Sequence, residues 1–266
     1  MSAKNWGQLR NKVVLSVIVV IAACVLASSQ QPAKHAVVAP GSASKTTEAK
    51  SRVPVVHTAD TLDILRETQL TVAEESYLGL IWWIPFEFWQ QAAAKNGVTP
   101  EQSEKQFGVL RNYTIVGSFV AKVSSLGAFD FVPAEGLQKS IVLRDSSGRE
   151  YTAVKEPAQD AKNLAAIMKP ILSSAMGKAG ENFEMLFFPA RTTDGQPIAD
   201  ASQKGKFSVV LKEIAGVPES IYEFSLPLTS LTPPKYCPAG KERVHADWEY
   251  CPWHGVALNP TKTAAK

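Results

Sequence analysis

Tyr113-Thr114-Ile115-Val116-Gly117-Ser118-Phe119-Val120-Ala121-Lys122-Val123 marks the point in this 266-residue chain where the apolar pattern changes from helical to extended. β-Branched and aromatic residues dominate it, as they do strands, because such side chains pack well on a pleated surface. Toward the C-terminus, residues 141–144 and 150–154 flank Asp145-Ser146-Ser147-Gly148, which predicts a hairpin. An amphipathic helix follows, with Ala161, Leu164, Ala165, Met168, Ile171, Leu172 and Ala175 on one face and Gly177 as its stop. Further strands are expected over residues 183–188, 206–211 and 220–225, the first two separated by a polar loop containing Asp194-Gly195.

Toward the N-terminus, Leu62, Leu65 and Leu70 suit a short helix or an extended approach to the domain. Residues 77–89 are the most aromatic stretch of the chain and read as core, because aromatic rings dominate burial. Pro85 opens a helix that stops at Asn96-Gly97. Thr99-Pro100-Glu101-Gln102 opens another, with Thr99 as N-cap and Gln102 completing a capping box. Helices, then strands, one helix and strands again argue for an α+β fold with a mainly antiparallel sheet, not a doubly wound one. No internal repeat is apparent.

The first sixty residues set an expected location. Lys4, Arg10 and Lys12 precede an apolar run over residues 13–27, followed by Ser28-Ser29-Gln30-Gln31. A basic flank before an apolar stretch is an export signal, and the positive-inside bias places the following chain outside the cytoplasm. The segment 1–29 stays as a membrane anchor, is cleaved after the small residues near Ser29, or is lipidated at Cys24, which ends the lipobox-like Ile21-Ala22-Ala23-Cys24. Residues 30–60 carry no apolar period and read as a disordered tether. Extended, such a tether reaches on the order of 100 Å. The expected division is then anchor 1–29, tether 30–60, α+β domain 61–232, a knuckle over 233–258 and a disordered tail 259–266.

The knuckle carries the candidate ligands. Cys237-Pro238 and Cys251-Pro252 are two Cys-Pro turns, with Trp248 and Tyr250 ahead of the second and His254-Gly255 behind it. Cys237-Pro238, Lys241, Trp248, Tyr250, Cys251-Pro252, Gly255 and Leu258 together resemble zinc ribbons of the form CPxCGK…W.FCPxDG. In that likeness His254 stands at the fourth ligand position and Gly240, which has no side-chain donor, at the second. The likeness covers only residues 237–258. It implies a structural zinc held by Cys237, Cys251, His254 and His245 on the intervening arm. The competing chemistry is a Cys237–Cys251 disulfide, which an exported location favours.

Catalytic signatures are sparse. Nucleophile elbow, phosphate loop, dinucleotide fingerprint and HExxH are all missing from the sequence. The four histidines are His35 and His57 in the tether and His245 and His254 in the knuckle, so the main domain has no imidazole base. Glu74-Glu75, read as part of a helical turn, and Asp194 with Asp200 are the carboxylate pairs. A net charge of +3, evenly spread after residue 60, gives no nucleic-acid footprint. The expected function is a membrane-tethered extracytoplasmic protein, non-enzymatic, that binds or scaffolds an envelope protein or polymer. The alternative is an envelope hydrolase using Asp/Glu carboxylates.

Overall fold

The computed structural model describes residues 60–74, 76–233, 235–244 and 248–258. The expectations for the anchor, Cys24, the tether before Asp60, Glu75, His245 and the tail lie outside these residues.

The core is organised by β2 (Tyr77–Ile84), buried at every position from Leu78 onward. A strand alternates its side chains between two faces, so an unbroken apolar run requires a cover on both. Trp82 faces helices: its ring meets Phe88 of α2 (Phe86–Lys95) edge-on at 5.3 Å and Phe183 at 6.3 Å. Trp83 faces a second sheet, meeting Phe207 at 4.9 Å and Phe224 at 5.7 Å. Each indole removes ~150–250 Å² from water, which stabilises by at most about 4–6 kcal/mol at ~25 cal/mol per Å². The aromatic stretch 77–89 is therefore core.

In the first sheet β1 (Gln69–Ala73) pairs with β2, and β2 with β3 (Tyr113–Val123). The far edge of β3 is shared end to end: β4 (Phe129–Phe131) pairs with residues 121–123 and β7 (Glu184–Pro189) with residues 113–118. The second sheet runs β6 (Glu150–Thr152), β5 (Ile141–Arg144), β8 (Gly205–Leu211), β9 (Ser220–Leu226). Its pairings, like those of the first sheet, are antiparallel. The α+β class with mainly antiparallel sheets and few helices is what the sequence pattern leads to. Among the described residues no helix is long and apolar enough to cross a membrane.

Local chemistry fixes the helix ends. α1 (Thr61–Thr68) is capped by Asp60, whose carboxylate accepts from the Leu62 amide at 3.0 Å. Lys95 donates to the same carboxylate at 2.6 Å and holds it below the usual carboxylate range. α3 (Pro100–Phe107) begins with the expected capping box: Thr99 accepts from the Gln102 amide and Gln102 from the Thr99 amide. α4 (Ala134–Ser140) leads into β5, and α5 (Gln159–Met176) buries Ala161, Met168 and Leu172 before stopping at Gly177. Gly177 takes φ +59, a conformation glycine adopts without a Cβ penalty, and the short α6 (Lys178–Glu181) follows. One local reading is corrected. Glu74 belongs to the turn between β1 and β2, its amide donating to Tyr77 O at 2.9 Å, not to a helical turn. The hairpin pattern wins because residues 69–73 pair with residues 78–82 as antiparallel strands, which leaves Glu74 in the connection.

Candidate metal centre

The C-terminal segment has its own small apolar cluster of Cys237, Val244, Cys251 and Leu258, with Trp248 and Val256 against it. A two-stranded ribbon, β10 (Lys235–Tyr236) with β11 (Arg243–Val244), frames the first Cys-Pro turn. The two turns are built alike. The amide of Lys241 donates to Cys237 O at 2.9 Å, and that of Gly255 to Cys251 O at 2.8 Å. Cys237 N donates to Glu242 O at 3.0 Å, and Cys251 N to Val256 O at 2.9 Å. Lys241 and Gly255 both have positive φ, 61° and 63°. The segment is thus a structural duplication of Tyr-Cys-Pro turns, at residues 236–238 and 250–252, that a search for longer repeats overlooks.

That correspondence places Gly240 opposite His254, three residues after each cysteine. His254 supplies Nδ1, 3.4 Å from both Cys237 Sγ and Cys251 Sγ. Gly240 supplies space and an amide, which lies 3.4 Å from Cys237 Sγ. A Cβ at residue 240 would stand 1.9 Å from Glu242 Oε2 and 2.5 Å from His254 Cε1. The Glu242 carboxylate fills that space, with Oε1 3.2 Å from Cys251 Sγ and 3.1 Å from His254 Nδ1. Sequence reasoning missed Glu242, because it sought the fourth donor at the ribbon's usual position or on the intervening arm. The available signal was a carboxylate two residues after a glycine that cannot ligate.

Donor atoms of Cys237, Glu242, Cys251 and His254 lie within 4.8 Å of one another. The edges of a tetrahedron around zinc, built from its usual bond lengths to S, N and O, are about 3.3–3.8 Å. The donors therefore stand at nearly ligating separations and can hold a metal ion. Both cysteines are free, with their sulfurs 3.5 Å apart, beyond the ~2.05 Å of a disulfide. The sulfurs are buried while His254 and Glu242 are partly exposed, so the cluster opens to water on one side. Burial pushes the Cys251 thiol up, aided by its hydrogen bond to Glu242. The Glu242 carboxyl is held low, first by its own backbone amide and then by the thiols. Thiolate ligation must displace a proton, so metal affinity falls toward acid pH.

The sequence's carboxylate candidates take structural places. Asp194 Oδ2 lies 3.9 Å from Arg149 Nη1. Asp200 accepts from Ser202 N and Oγ and from Gln203 Nε2, a turn arrangement that holds its carboxyl low despite partial burial. Glu87, which the sequence did not single out, is lifted above the carboxylate range by burial, with Asp200 adding repulsion. A carboxyl that holds its proton more tightly folded than unfolded contributes stability below its unfolded pKa, and loses it as pH rises through the folded value. Glu87→Gln is therefore expected to flatten the decline in stability as pH rises from the ordinary glutamate value of about 4.3. Urea melts over that rise check this; an unchanged slope refutes it.

Comparison with protein-family models, curated proteins and solved structures finds no match to this chain.

Proposed function

We propose that this protein is a membrane-tethered, extracytoplasmic binding or scaffolding module whose C-terminal knuckle is stapled by a structural zinc ion. The observation that carries the metal reading is the convergence of Glu242 and His254 on the two sulfurs. A disulfide alone needs neither of those side chains, whereas a tetrahedral ion needs both. Two sulfur donors favour zinc over the hard cations, which prefer oxygen. Four protein donors leave no open coordination position for a substrate, so the reading is structural and not catalytic.

The location rests on the basic flank and apolar run of residues 4–27. An envelope protein or polymer is the expected partner class, because the tether holds the domain within reach of that space. The hydrolase alternative gains nothing from Asp194 and Asp200, which are engaged in an ion pair and a turn. Protease shaving of intact spheroplasts is expected to digest the C-terminal domain and leave a protected N-terminal fragment. A fully protected domain refutes the orientation.

A further inference from the structure

A groove of about 380 Å³ lies where the knuckle meets α1, floored by Val244, Trp248 and Trp253 and walled by Asp63 and Glu67. The two indoles meet edge to face at 5.6 Å, and Trp253 is 65% exposed. Its cationic neighbours are already engaged: Arg66 with Asp63 at 3.0 Å, and Arg243 with Thr229 O at 3.2 Å. What the groove offers a ligand is mainly apolar, aromatic surface. Aromatic grooves of this kind take extended, proline-containing segments, whose backbone is already ordered and loses little entropy on binding.

The chain carries such a segment in sequence just ahead of α1, which lines the groove. The described residues begin at Asp60, the cap of α1, three residues before Asp63. Just upstream is Arg52-Val53-Pro54-Val55-Val56-His57, an apolar, proline-containing quartet between polar neighbours. From Val56 to Asp60 the chain spans up to ~14 Å, and α1 rises about 10 Å from Asp60 to Glu67. That length is enough for residues 53–56 to reach the indoles if the chain doubles back along α1. Covalent continuity gives so short a link an effective concentration on the order of millimolar, which favours the chain's own segment over a free peptide. We infer that residues 53–56 occupy the Trp248–Trp253 groove of their own chain. The contact goes beyond the metal reading, since it uses the knuckle's outer aromatic surface and none of the four candidate ligands.

The test uses the full chain in detergent micelles, with Val55 replaced by the photo-crosslinker benzoylphenylalanine, both with zinc and after chelation. Mass spectrometry is expected to find the dominant link within one chain, to Val244, Trp248 or Trp253. Trp253→Ala, at an exposed position, is expected to cut that link several-fold with an unchanged melt. The link in either metal condition supports the inference, and its loss on chelation alone bears on the metal reading only. Links spread along the tether or to detergent overturn it, as do links between chains, which would make a second copy the occupant. A yield unmoved by Trp253→Ala overturns it as well.

Discussion

Zinc added to the metal-free protein is expected to bind with one ion per chain and to raise the unfolding midpoint of the C-terminal segment, followed through Trp248 and Trp253. With free zinc at a thousand times its Kd, linkage alone supplies about 4 kcal/mol. Structural zinc sites reach apparent binding free energies of roughly 10–16 kcal/mol in small peptides, so saturation is expected at micromolar metal. Cys237→Ser and Cys251→Ser are each expected to abolish the shift, and the double variant to cost little more than either, because all three remove the same link. His254→Ala and Glu242→Ala are expected to weaken zinc strongly. Gly240→Ala is expected to weaken it too, because the new Cβ meets the Glu242 carboxylate at 1.9 Å. His245→Ala should matter only if the intervening arm folds inward. Thiol counting under denaturing, non-reducing conditions separates the chemistries. With Cys24, the third cysteine of the chain, assigned separately by peptide mapping, free thiols at both Cys237 and Cys251 with bound zinc mean the metal; neither free and no zinc mean the disulfide; both free without metal, or additive cysteine variants, defeat both.

The second large effect is expected in the core. A Cβ on Gly117 would lie 2.1 Å from Phe183 Cζ and 2.7 Å from its Cε1. That ring is buried and already confined by Trp82, so it has nowhere to retreat. Gly117→Ala is expected to destabilise by about 3 kcal/mol, at the upper end for overpacking. Phe183→Ala should cost roughly 3–5 kcal/mol through its cavity. In the double variant the cavity receives the methyl group, so the two losses should fall well short of adding. Denaturant midpoints of the four proteins close the cycle. Strict additivity would mean that ring and glycine are not opposed.

Much of this architecture was legible because each local rule acts on neighbouring residues. Tyr113–Val123 is a strand over its full predicted length, and Pro85, the Thr99–Gln102 box and Gly177 bound their helices as read. The sequence did not show that Trp82 and Trp83 serve opposite faces of a buried strand, because a continuous apolar run carries no period. Nor did it show β1 or β4: Gln69–Ala73 follows the helix ending at Thr68 with no turn signal between them, and Phe129–Phe131 has only three residues. In the knuckle, both cysteines and His254 were legible from their spacing. Glu242 was not, because its role follows from the volume that Gly240 leaves empty, and a pattern of ligand types cannot register an empty volume.

The shared edge of β3 has a consequence for how the protein is made. As the chain emerges from N- to C-terminus, β2 and then β4 can zip onto β3 early. The hydrogen-bonding groups of Tyr113–Ser118 on the far side wait for β7, and everything from Ser124 to Phe183 must appear first. Until then the nascent chain presents an apolar, unpaired strand edge, a ready template for mispairing with a neighbouring chain. A holding factor that met the nascent chain would find a grip on this stretch, and a product truncated before Glu184 would never cover it.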